Sequence, residues 1–356
     1  MSSLTRRRPT RRSAASLEAV TQVLMPIIEA AMHRVFDARP VPEPFYGLMR
    51  YHLGWADEQL SPVKAPTSKR LRPLVCLLAC RAVGGEIEAA LPAAVAIELL
   101  HNFSLIHDDV EAGDVSRQDR PTVWYLWGTP HAINAGDGLH VLAYSTLLDL
   151  TRSRADAPAV VEAMQLLAET SLRIAEGQYL DLAFEAQAEV DTADYLAMIG
   201  RKAAAISQCA VGMGARLGGG TAQEVVSLER FGEALGMAYQ LHDDILGLWT
   251  VSEHTGKPSG DDLARRKKTY PSAYALAHTR GVDRTILTRL FETPEPSDLQ
   301  VQDALRVLER VGARGQAQQL VAQFSALAQE ALASLPMSAS REALQELLDP
   351  LVTQEE

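Results

Sequence analysis

The stretch LPAAVAIELLHNFSLIHDD, Leu91 to Asp109, is apolar on more than one side at helical spacing and then ends in paired acids. A helix with no face to leave in water belongs in the middle of a helical protein. A second stretch, FGEALGMAYQLHDDILGLW from Phe231 to Trp249, has the same form and also carries HDD, at His242-Asp243-Asp244. Negative charge at a helix C-terminus opposes the macrodipole, so both acid pairs cost stability unless a cation sits among them.

Outward from these two helices the apolar residues keep recurring at three and four positions, as in VVEAMQLLAETSLRIAEGQYL, while strand-like alternation is almost absent. Breakers at ARPVPEP, VGGE, LGGGT, HTGKPSGDD and ETPEPSD divide the chain into about ten or more helices with short links. The expectation is an all-α fold. With 356 residues, 47% hydrophobic and 22% charged, a single large domain over residues 17–356 is expected. Residues 1–16, which include RRRPTRRSAAS, are expected to form a disordered basic tail rather than a secretory signal, because no apolar segment follows before Glu18.

Charge and composition exclude several functions. A net charge of -11 argues against a general nucleic-acid binder, whose phosphate contacts need a basic surface. No uninterrupted apolar run approaches the roughly 18 residues of a membrane span. The three cysteines, Cys76, Cys80 and Cys209, sit in apolar surroundings and read as core residues of a protein in a reducing cytoplasm.

Carboxylates gathered at helix ends suit Mg²⁺, a hard cation that keeps several waters and bridges to substrate phosphates. Basic clusters follow the acids: SKRLRP (Ser68 to Pro73), Arg117 and Arg120, Lys202, and GKPSGDDLARRKKT (Gly256 to Thr269). Two acid pairs, cations to match them and a wide apolar interior together suggest a diphosphate carried on a hydrophobic tail.

The order Lys69-Arg70-Leu71-Arg72-Pro73, His101, LIHDDVEAGDVSRQDRPTVW, AINAGDGL, GQYLDLAFE, Lys202, YQLHDDILG and GKP…DL…KKT resembles the trans-isoprenyl diphosphate synthases, in their geranylgeranyl and farnesyl branch. The likeness runs from about Pro66 to the end. It implies the isoprenoid-synthase helical bundle, with a central apolar substrate cavity, and a homodimer. It also implies Mg²⁺ held by Asp108, Asp109, Asp243 and Asp244. Arg117, Lys202, Lys257 and Lys267 would grip an allylic prenyl diphosphate, and Lys69, Arg72 and His101 would anchor isopentenyl diphosphate. Gln240 would face the reacting centre. Phe103, five residues before Asp108, would floor the pocket and hold the product to medium, farnesyl to geranylgeranyl, length.

The chain departs from that family at Ser68, Ala112, Gln118 and Ala203, and more mildly at Gly247, where some branches of the family also read DDILG. Ala112 stands where the first motif has its last acid. Glu111, about 60° around the helix from Asp108, is the better-placed substitute on a regular helix, whereas Asp114 faces away unless the chain unwinds at Gly113. Gln118 removes a cation, and a lost charge-assisted contact is worth roughly 1.5–3 kcal/mol, about tenfold to a hundredfold in affinity. Chain elongation with isopentenyl diphosphate is the first reading. A terpene synthase using one prenyl diphosphate is the second, and a non-catalytic regulatory subunit the third. The retained Asp108, Asp243, Lys202 and Lys257 speak against the last.

Overall fold

The computed structural model describes residues 17–39, 41–63, 70–152, 157–250 and 260–352. The tail expected at 1–16, together with Lys69 and Lys257, lies outside the described residues. In chain order the elements are α1 (Leu17–Asp37), α2 (Glu43–His52), α3 (Leu71–Ala82) and α4 (Ile87–Ala112). A hairpin of β1 (Ser116–Arg117) and β2 (Arg120–Pro121) precedes α5 (Val123–Trp127), α6 (Thr129–Leu147) and α7 (Ala157–Glu185). Then come α8 (Thr192–Ile199), a π-helical turn (Gly200–Ala204), α9 (Ala205–Leu217) and α10 (Ala222–Trp249). The chain closes with α11 (Asp261–Ala264), α12 (Tyr270–His278), α13 (Gly281–Glu292), α14 (Asp298–Arg310), α15 (Ala313–Ala333), α16 (Ala339–Glu346) and α17 (Asp349–Val352). The all-α expectation stands, with one short antiparallel hairpin added to it.

The two apolar helices are the centre of the bundle. α4 packs against α1, α3, α6, α7 and α9, and α10 packs against α9, α15 and the π turn. From Ala93 to Leu100 every residue of α4 is buried, Glu98 included. α4 is therefore long and apolar enough by length and composition to cross a membrane, which the sequence reading did not anticipate. Its most apolar window is 61% buried by neighbouring helices, and that cover explains the composition. A smaller second core gathers α11 to α14 around Leu248 of α10 and Ala313 of α15.

Local chemistry sets the ends that matter. α4 stops at Gly113, which takes a left-handed conformation (φ 69°) and donates its N–H to the Asp109 carbonyl, a position glycine occupies without a Cβ penalty. α10 starts in a capping box in which Thr221 and Glu224 satisfy each other's backbone N–H groups. α3 lies close against α9, where a Cβ on Gly214 would strike the Cys76 carbonyl. The three cysteines are buried free thiols in this core, and burial raises Cys80 and Cys209 to about 11.

Candidate active site

The first acid pair is held by cations that arrive from two other elements. Asp108 Oδ1 accepts a hydrogen bond from Lys202 Nζ at 2.9 Å, and Asp108 Oδ2 accepts one from Arg117 Nη2 at 3.3 Å. Arg117 Nε donates to Asp109 Oδ1 at 2.6 Å. Lys202 also donates to Asp181 Oδ2 on α7 at 2.6 Å.

Each cation has a backbone reason to be there. Lys202 lies in the π turn, which passes so close to α7 that a Cβ on Gly177 would meet the Lys202 Cα at 2.7 Å. The π turn shifts the register of the helix by one residue, a distortion common at functional sites. Arg117 is returned to the end of α4 by the hairpin, whose two turn residues, Gln118 (φ 51°) and Asp119 (φ 59°), both take positive φ, as a tight two-residue turn requires.

Burial alone would raise the Asp108 carboxyl, but the Lys202 charge and hydrogen bond and the Arg117 charge outweigh it and hold the pKa below the ordinary value. At Asp109 burial wins over Arg117, and its pKa rises to about 6. Burial would lower Lys202 as well, yet Asp108 and Asp181 keep it raised.

The second acid pair is organised differently. Asp243 is exposed at the site face of α10, while Asp244 is turned inward and 1% exposed. Asp244 is hydrogen-bonded on both oxygens: it accepts from Tyr195 Oη at 2.6 Å, Tyr270 N–H at 3.1 Å and Gln240 Nε2 at 3.0 Å. Burial raises it to about 6 against these donors and the Lys267 charge. In this geometry Asp244, expected as a metal ligand, is engaged by these three donors, and Gln240, expected to face the reacting centre, donates one amide N–H to it. Lys267 would lose its proton more easily for being buried, but Asp262, Asp244, Asp243 and Asp181 hold its pKa above the ordinary value.

Two acids that the sequence reading undervalued lie where the motifs have lost theirs. Glu111 is exposed on the last turn of α4. The unwinding at Gly113 instead brings Asp114 round, half-buried, into an ion pair with Arg265 at 2.7 Å across the cleft. Its charge acts on both Asp109 and Arg117. On the other side, a Cβ on Gly247 would run into the Asp262 carboxylate. Asp262 from α11 thus occupies the space above the residue that carries no acid of its own. The signal was present in GDDL after the second motif, but only the fold shows which residue that acid approaches.

Arg72 and His101 lie together beside this cleft. The Arg72 Nε is buried and has no hydrogen-bond partner among the described residues. Burial and then the Arg72 and Arg117 charges hold His101 well below the ordinary imidazole value. Phe103 stacks on His140 of α6 (ring centroids 4.5 Å apart) with Tyr144 and Ser171 behind it. Gln118 is exposed at the hairpin tip. A groove of about 1250 Å³ between α7, α8, α10 and α15, lined by Arg173, Leu196, Met237 and Phe324 among others, contains none of these residues.

The donor set suits Mg²⁺. The acids are hard oxygen ligands, and Asp109 carries a desolvation cost that a cation relieves. Among the described residues no three carboxylate, imidazole or thiolate groups converge to enclose an ion.

The polyprenyl synthetase family profile matches residues 55–308. The chain belongs to the polyprenyl synthetase family. Within it, the chain is 37% identical over 305 residues to a geranylgeranyl diphosphate synthase of Mycobacterium tuberculosis, covering 86% of this chain and 85% of that one. It is also 37% identical over 287 residues to a short chain isoprenyl diphosphate synthase of Methanothermobacter thermautotrophicus, covering 81% and 86%. The solved polyprenyl synthetase of Streptomyces coelicolor A3(2) superposes with a TM-score of 0.84 at 32% identity over 96% of this chain and all of that one. Family membership and the all-α isoprenoid-synthase fold both agree with the reading of the sequence.

Proposed function

We propose that this chain is a trans-prenyltransferase that joins an allylic prenyl diphosphate to isopentenyl diphosphate, giving a diphosphate of farnesyl to geranylgeranyl length. The observation that carries the reading is the meeting of Lys202, Arg117 and Asp108 from three separate elements, beside a recess holding Arg72 and His101. One diphosphate can be bound at each.

At the first position Lys202, Arg117 and Lys267, with Lys257, bind and orient the allylic diphosphate. Mg²⁺ held by Asp108, Asp109 and Asp243 supplies further positive charge to the departing group when bound. The allylic carbon–oxygen bond breaks, diphosphate leaves with the electron pair, and the allylic cation takes electrons from the double bond of isopentenyl diphosphate. Loss of a proton to the released diphosphate restores the alkene. Cations already in place at the leaving group need no reorganisation as charge develops, which is where electrostatic catalysis gains most.

Arg72 and His101, with Lys69, anchor isopentenyl diphosphate. Phe103, stacked on His140, floors the substrate pocket and limits product length. Val161, Leu172 and Tyr179 share one face of α7, and Ile133 and Val141 lie along α6 with Leu148 just past its end; all six are exposed. An apolar surface of this kind suits a homodimer partner. The cytoplasm is the compartment that fits the buried free thiols.

The test is incubation with Mg²⁺ and each allylic diphosphate, with and without labelled isopentenyl diphosphate. Label recovered in a longer diphosphate supports elongation. Hydrocarbon or alcohol formed with isopentenyl diphosphate left unconsumed would make the chain a terpene synthase. Sedimentation at working concentration tests the dimer.

A further inference from the structure

The recess beside Arg72 holds one more residue that the family motifs do not include. His52 closes α2, and the carbonyls on either side of it are both taken by arginines. Arg120 Nη1 donates to Tyr51 O at 2.9 Å, and Arg70 Nη2 donates to Leu53 O at 3.0 Å. These contacts fix the end of α2 on either side of the imidazole.

On α4 the partner is Asn102. Both Asn102 Nδ2 bonds go to Glu98, to its carbonyl at 2.7 Å and its Oε1 at 3.1 Å. The hydrogen bond between Asn102 and His52 therefore falls to Asn102 Oδ1, which accepts from one ring N–H. Arg117, Arg70 and Arg120 act on the ring through their charges, and the ring in turn acts on His101.

The groups around it are unbalanced. Arg70 and Arg72 come from α3, His101 and Glu98 from α4, Arg117 and Arg120 from the hairpin, and Tyr239 of α10 faces Arg72. Of the arginines, Arg70 is paired with Glu29 and Glu98, Arg117 with the first acids, and Arg120 with backbone carbonyls. Arg72 keeps a buried Nε with no hydrogen-bond partner among the described residues. His52, Arg72 and His101 are all enclosed by protein and yet keep part of their surface open to solvent. Donors lining a water-reachable recess, with more positive charge than the protein neutralises, are arranged for an anion.

We propose that His52 is a further anchor for the diphosphate of isopentenyl diphosphate, beside Arg72 and His101. The assignment rests on the elongation reading above. In the free protein, burial and then the Arg117, Arg70 and Arg120 charges hold the imidazole neutral, with a pKa lowered to about 3. A diphosphate brought among these groups reverses the local charge, and His52 takes up a proton from solvent and donates its second N–H to a phosphate oxygen. It supplies a cationic donor to a site in which position 118 has none.

The experiment compares wild type, His52→Ala and His52→Gln by calorimetric titration with isopentenyl diphosphate and by steady-state kinetics with each substrate varied. For His52→Ala, affinity for isopentenyl diphosphate should fall at least tenfold and its KM rise to match. The KM for the allylic diphosphate should stay within about twofold, a split that a merely structural loss would not give. Gln, which keeps a donor, should recover part of the affinity. Affinity in a folded His52→Ala protein within twofold of wild type overturns the proposal, even while wild type consumes isopentenyl diphosphate and the elongation reading stands. Wild type that neither binds nor consumes isopentenyl diphosphate overturns the elongation reading first. Should both variants unfold, the His52 ring resonances of wild type decide: they must shift on adding isopentenyl diphosphate, and unchanged resonances overturn the proposal.

Discussion

The ends of α4 and α10 read alike in the sequence, each an apolar helix with HDD, and the fold uses them in opposite ways. At α4 the leading acid, Asp108, is shared between Lys202 and Arg117, two long cationic side chains from a π turn and a hairpin. At α10 the leading acid is exposed and the second, Asp244, is locked by Tyr195, Gln240 and a backbone N–H. Cations on long stems can transfer their contacts to an incoming diphosphate. A buried carboxylate with three donors cannot, because breaking its bonds leaves polar groups unsatisfied. On the function proposed here, the α4 end exchanges partners and the α10 end stays where it is.

The largest expected effect breaks the exchange end. Asp108→Ala should lower turnover by about a thousandfold or more, the scale on which prepositioned charge acts in transition states. Circular dichroism should show the helical content unchanged, since Lys202 keeps Asp181 and Arg117 keeps Asp109 as partners. A rate near wild type would remove Asp108 from the chemistry.

At the fixed end the loss should appear as stability. Tyr195→Phe removes one donor to a buried carboxylate, a hydrogen bond worth about 1.5–3 kcal/mol, and should lower the denaturant midpoint accordingly. Turnover should fall less than tenfold. A protein equally stable to urea but inactive would mean that Asp244 exchanges partners as Asp108 does.

The recess between the two ends gives a pH signature. His52 has a folded pKa of about 3 against an ordinary value of about 6.5, so below the latter the unfolded chain binds a proton that the folded chain refuses. Stability is fully present above the unfolded value and is lost as pH falls toward the folded one. At pH 5 the loss amounts to about 2 kcal/mol. His52→Gln should remove that part of the acid sensitivity; parallel stability curves for the two proteins between pH 7 and 5 would contradict it.

The smallest effect concerns the acid missing at 112. Ala112 is exposed on the last turn of α4, and Asp114 is already near the pair. Ala112→Asp should lower the Mg²⁺ concentration needed for half-maximal rate by less than tenfold, because it supplements a charge already supplied. A much larger gain would show Asp114 to be fully committed to Arg265.

The helical class, the central place of α4 and α10 and the family itself follow from local information: apolar period, helix breakers and ordered motifs, each readable within a few turns of chain. What each acid of a pair is bonded to does not follow, because Asp108 and Asp243 differ only in what other elements bring to them. Asp114 reaches its neighbours only because Gly113 unwinds the helix, and Asp262 reaches the α10 site only because Gly247 leaves room. His52 of α2 and Asn102 of α4 meet from helices whose motifs are silent about one another. Period and propensity act along the chain, whereas charge balance at a buried site is set by distances through space, and those exist only once the bundle has closed.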